Sequence, residues 1–199
     1  MRSIRYGQQD RISLHQQINN AMHWPETLLQ PYSSAHLQQL VEYIGQNPAR
    51  FAELFTHFHS SEYRIAQRAS RVVDAVVERH PALLIPHLET FFRVLSRTDV
   101  HPAVRRNSVR MLQFIAIPEA YHGIVVACCF ECLNNPTEPA AIKAFSLTVL
   151  HRMVQQYSEL TTELQTIIED RLPYESPAFR SRAVKILRQL KTPGPASSS

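Results

Sequence analysis

The chain has 199 residues, 44% of them hydrophobic, and 21 Lys and Arg against 17 Asp and Glu give it a net charge of +4. That length suits one domain or a short repeat array, and the apolar share argues against a disordered chain. Four glycines are too few for an all-β fold with many tight turns, no run of about 18 apolar residues offers a membrane helix, and the start MRSIRYGQQD lacks the apolar stretch of a secretory signal.

Residues 1–33 are predicted to form a partly helical N-terminal capping segment. A helix over about 8–22 is followed by turns or a short helical piece, because Pro25 and Pro31 interrupt residues 23–33. A helix over 34–46 would pair with the first and open a repeat domain spanning 34–191. Helical periodicity then gives pairs 48–60 with 63–79, 81–97 with 102–117, 118–134 with 139–156, and 157–172 with 177–190. Pro48, Pro81, Pro102, Pro118, Pro139 and Pro177 stand at expected first helical positions, where a missing N–H costs nothing. Asn47 and Ser176 precede two of them as N-caps. Residues 192–199, TPGPASSS, read as a flexible tail.

The second helix of each pair carries one recurring pattern. An apolar residue is followed by a small residue four positions on and apolar residues at seven and eight. The copies are Ile65, Ala69, Val72, Val73; Val104, Ser108, Met111, Leu112; Ile142, Ser146, Val149, Leu150; and Phe179, Ala183, Ile186, Leu187. Their starts lie 37 to 39 residues apart. This spacing places all four side chains on one helix face, with the small residue admitting a close neighbour. A fixed period of this length is the mark of a solenoid.

The stretch Leu95–Leu112, LSRTDVHPAVRRNSVRML, resembles the core of a HEAT repeat: a leucine closes the first helix, an aspartate sits in the turn, and an apolar-basic step opens the second. Val104-Arg105, Ile142-Lys143 and Phe179-Arg180 match that step, whereas Ile65-Ala66 departs from it. Pro86 in LLIPHLETFF resembles the proline that bends the family's first helix. The resemblance covers about 48–190. It implies an all-α, right-handed α-solenoid of about four to five HEAT-like pairs, of the armadillo-like helical kind. Asp99 is the one turn aspartate, so an aspartate–arginine ladder between repeats is not expected to be complete.

Charge is segregated by helix class. The second helices carry an excess of Lys and Arg, greatest in 177–191, with five basic residues and no acid; the first helices are acidic on balance. In HEAT-like stacks the second helices usually line the concave face, so the resemblance implies a basic inner surface. Arg64, Arg68, Arg71, Arg110, Arg182, Lys185 and Arg188 are the expected partner-binding residues. A solvated, structurally ordinary charged face is the plain alternative. On the functional reading Arg71, Arg110 and Lys185 can be reversed to Glu together with the helical content unchanged.

No catalytic constellation is legible. Cys129 and Cys132 form a lone CxxC without a second pair, so Cys128, Cys129 and Cys132 are expected in the core, in a reducing cytoplasm. His57 and His59 with Glu62 suggest a partial metal site, but alternate helical positions diverge; His101, His122 and His151 lack ligand spacing. The expectation is a cytoplasmic, non-catalytic scaffold that needs no cofactor, metal, membrane or small-molecule substrate and binds an acidic protein surface or segment. The alternative is a nucleic-acid-binding module using the same residues. A relative of the HEAT-like DNA glycosylases is disfavoured, because Trp24 is the one tryptophan and lies outside the matching repeats.

Overall fold

The computed structural model describes residues 22–191, so the helix expected over 8–22 and the tail 192–199 lie outside the described residues, save Met22. Ten α-helices follow in order: α1 Trp24–Leu29, α2 Ser34–Ile44, α3 Pro48–Thr56, α4 Tyr63–Arg79, α5 Leu88–Leu95, α6 Pro102–Met111, α7 His122–Asn134, α8 Ala140–Val154, α9 Leu160–Arg171 and α10 Pro177–Lys191. No strand occurs among the described residues.

Local chemistry fixes several boundaries. The Ser33 hydroxyl accepts from the His36 N–H, and the Asn47 carboxamide accepts from both Ala49 and Arg50, satisfying donors that an N-terminus leaves open. Ser176 accepts from Phe179 and starts α10 as expected. α2 stops at Gly45, whose φ of +50° and ψ of −126° suit only a residue without Cβ. α4 ends at His80, directly before Pro81.

Three prolines behave differently from expectation. Residues Pro81–His87 wind as a 3₁₀ segment, and the α-helix begins only at Leu88. Pro86 has no N–H for the fourth carbonyl back, and its ring crowds that carbonyl, so the segment tightens instead of forming one bent α-helix from 81. Pro118 precedes a short 3₁₀ turn, Glu119–Tyr121, and Pro139 is the N-cap of α8, not its first residue.

The second helices stack directly on one another, α4 on α6, α6 on α8 and α8 on α10. All the recurring pattern residues are buried except Leu187, which packs at the core's margin. α8 is covered on most sides, with Ile142, Ser146, Leu147, Val149 and Leu150 at 1% exposure or less. The first helices add an aromatic chain. Phe51 stacks on Phe55, Phe55 on Phe58, Phe58 on Phe91, and Phe92 on Tyr121, with Phe91 meeting Phe92 edge-on. Each buried phenylalanine contributes about 1.5–3 kcal/mol by desolvation, and each ring pair roughly 0.5–1.5 kcal/mol more. α1 packs on α4, bringing Trp24 and Leu28 into the same core.

Candidate partner-binding face

The 3.6-residue period that buries the recurring apolar set leaves positions three, six and nine residues after its first member together on another side of each second helix. Those positions hold Arg68, Arg71 and Asp74 on α4; Asn107, Arg110 and Gln113 on α6 and just beyond it; Phe145, Thr148 and His151 on α8; and Arg182, Lys185 and Arg188 on α10. Six of the seven expected binding residues fall in these rows. Arg64 lies one residue before the pattern.

Arg71 and Arg110 meet at one acid. Asp74, its side chain 1% exposed, accepts from Arg71 at 2.8 Å and from Arg110 at 2.7 Å, while Arg110 also reaches Glu78 at 2.8 Å. Burial pushes the Asp74 pKa up, and the hydrogen bond and charge of Arg110 pull it back. The Arg110 guanidinium also lies 4.9 Å above the Phe114 ring. This arrangement corrects one expectation: reversing Arg110 to Glu would set a third carboxylate against Asp74 and Glu78, so the combined reversal of Arg71, Arg110 and Lys185 would disturb the fold.

Further bonds join the second helices. Asn107 donates to the Ser70 hydroxyl at 3.0 Å between α6 and α4. Arg152 donates from α8 to the Leu112 carbonyl, which closes α6, at 2.8 Å. Arg182 donates through Nη1 from α10 to the Ala144 carbonyl at 3.0 Å and the Thr148 hydroxyl at 2.9 Å on α8. Cross-helix bonding is therefore present, but each step uses different chemistry. Asp99 does not take part; it pairs with Arg97 in its own exposed turn.

The basic residue of the apolar-basic step is structural in two copies. Lys143, 3% exposed, is held by Glu175 at 2.5 Å and by the Pro136 carbonyl. Arg105 reaches Glu131 and the Cys132 sulfur, with Glu138 at 3.8 Å.

The remaining expected residues face outward. Arg64, Lys185 and Arg188 are exposed, and Arg68 is half-buried with its guanidinium 4.8 Å from the Tyr32 ring centre. Neither Arg64 nor Lys185 forms an ion pair among the described residues. Beside Lys185 a cavity of about 370 Å³ opens between α8, α10 and the end of α6. It is lined by Gln113, Thr148, His151, Arg182, Lys185, Ile186 and Gln189. Gln113 was not singled out in the sequence and His151 was weighed there only as a metal ligand, although extending the repeat alignment to its ninth position finds both. Asn107 and Arg152 were missed as well; their bonds depend on distances between helices.

The three cysteines are free and buried, as expected for core residues. Among the described residues no three His, Cys, Asp or Glu side chains are grouped to hold a metal ion. Trp24 is buried and packs edge-on against Tyr43. No described helix is long and apolar enough to cross a membrane.

A family model described as a HEAT repeat domain matches residues 24–190. No curated protein and no solved structure matches the chain.

Proposed function

Because the chain belongs to the HEAT repeat family, we propose that it is a non-catalytic scaffold that binds an acidic segment of a protein partner along its second-helix face. On this reading the helices form a right-handed solenoid of four to five pairs, and the stacked second helices line its concave side. The setting is the cytoplasm. Affinity comes from many modest contacts spread over several repeats.

One observation carries the reading. The only acids on α4, α6, α8 and α10 are Asp74 and Glu78, and both are engaged with Arg71 and Arg110. The outward cations Arg64, Arg68 and Lys185 are thus left without a carboxylate from their own row, and they supply the field that attracts an acidic partner. Arg71, Arg110 and Arg182 hold the helices in place and border that field.

The test is fluorescence anisotropy of a labelled glutamate-rich peptide titrated with the full chain at increasing salt. Binding is expected at low salt and should weaken as salt rises, because exposed charges are screened within about 10 Å at 0.1 M. The pair Arg64→Glu and Lys185→Glu, neither of which breaks an ion pair among the described residues, should weaken it at least about tenfold. Flat anisotropy at low salt sinks the proposal. Tighter binding of duplex DNA or single-stranded RNA than of the peptide replaces it with a nucleic-acid-binding module.

A further inference from the structure

The cavity beside α10 differs from the open face around it. Two cations line it, Arg182 and Lys185, and no Asp or Glu does. Arg182 is immobilised. Its Nη1 is committed to the Ala144 carbonyl and the Thr148 hydroxyl, which fixes the guanidinium plane while its remaining nitrogens keep further N–H groups. Thr148 in turn donates to the Ala144 carbonyl, so its hydroxyl serves to hold Arg182. Gln113 is anchored through its amide nitrogen to the Arg110 carbonyl. His151 Nε2 is buried with no hydrogen-bond partner. A buried polar atom without a partner carries a free-energy cost that a ligand can relieve.

We propose that this cavity anchors the phosphoryl group of a phosphorylated serine or threonine within an acidic peptide, a deepening that rests on the acidic-partner reading above. A phosphomonoester brings three acceptor oxygens and about −1.5 to −2 charges. Those requirements match two cations plus the N–H groups of Gln113, Gln189 and His151, whereas a carboxylate, with one charge and two oxygens, leaves part of the set unmatched. At about 370 Å³ the space admits one modified side chain. The lining has no Phe, Tyr or Trp ring on which a nucleic-acid base would stack, and this favours a peptide over an oligonucleotide.

The experiment uses the full chain and two probes. Inorganic phosphate is titrated while backbone and imidazole NMR shifts are followed. A labelled peptide with one phosphoserine among glutamates is then compared by anisotropy with its unmodified serine counterpart. The phosphopeptide is expected to bind at least about tenfold more tightly, as one or two added charge-assisted hydrogen bonds imply. Phosphate should shift His151 and Thr148 saturably. Lys185→Ala should remove most of the tenfold difference, and because Lys185 is exposed its melting curve should match the parent's. Arg182→Gln provides a second variant with the same expected loss. Equal binding of the two peptides overturns the anchoring site while leaving the acidic-partner reading standing. Failure of both peptides overturns both readings. Saturable phosphate binding with no gain for the phosphopeptide, or an oligonucleotide that displaces it, also overturns the proposal.

Discussion

Replacing Asp74 or Arg110 by alanine tests whether the acid between α4 and α6 acts as the structure implies. Asp74→Ala removes two hydrogen bonds but strands no buried charge. Arg71, its side chain 36% exposed, can turn to solvent, and Arg110 keeps Glu78. Loss of the short bond across the stack costs roughly 1.5–3 kcal/mol, and relief of the desolvated carboxylate offsets part of it. A net loss of about 2 kcal/mol lowers Tm by roughly 4–8 °C for a domain of this size. Arg110→Ala should be worse, about 3 kcal/mol or more, because a carboxylate 1% exposed is left with only Arg71. The double variant should be no less stable than Arg110→Ala alone, giving a coupling of roughly 1.5–3 kcal/mol. Urea unfolding followed by far-ultraviolet circular dichroism at pH 7 measures all three. Additive losses, or Asp74→Ala proving the costlier change, would refute the reasoning. The direction with pH is also fixed. Burial holds the folded pKa of Asp74 above its ordinary value, so the folded state binds this proton more tightly than the unfolded chain. This group's contribution to stability is therefore greatest in acid and declines as pH rises through the interval between those two values.

His101 caps α6 by accepting the Ala103 N–H at Nδ1, 2.8 Å away, a role that only the neutral ring can fill. Burial lowers its pKa, so its contribution is complete above the ordinary histidine value near 6.5 and is lost as pH falls toward the folded value. His101→Asn should cap without titrating, and urea midpoints at pH 7.5 and 5.5 should differ less than in the parent; an unchanged difference counts against the cap. At Gly45, with φ of +50°, alanine should cost about 1–2 kcal/mol through backbone strain alone, since its Cβ meets only the Glu42 carbonyl at an ordinary 3.5 Å. A loss below about 0.5 kcal/mol in the same unfolding assay contradicts that account.

The fold was legible because its main determinant is periodic. Ile65, Val104, Ile142 and Phe179 recur at nearly constant spacing and are all buried, and a pattern that repeats four times leaves little choice of helix face. The reading failed at Pro86, where apolar spacing continued through a segment whose backbone cannot remain α-helical. The binding face was legible only as a row. Sequence placed Arg71 and Arg110 at equivalent positions, but the charge count treated them as available. That both turn to Asp74 depends on the separation of α4 and α6, which no single-helix pattern encodes. The same limit hid the bond from Arg152 to Leu112 and the fixing of Arg182 by Thr148.

The differing chemistry of the stacked contacts has a consequence for folding. Self-similar repeats invite misregistration, in which one helix docks on the wrong copy and the chain is trapped. The buried faces of α4, α6, α8 and α10 offer little protection, since their apolar patterns are nearly interchangeable. The polar contacts are not interchangeable. A carboxylate receives two guanidinium groups between α4 and α6, a helix-end carbonyl receives Arg152 between α6 and α8, and a carbonyl–hydroxyl pair receives Arg182 between α8 and α10. If α8 docked on α4, Thr148 would stand where Asp74 has Arg110, and the acid would be buried with a single cation. Each junction thus works as an address, and a wrong neighbour leaves buried donors or acceptors unmatched.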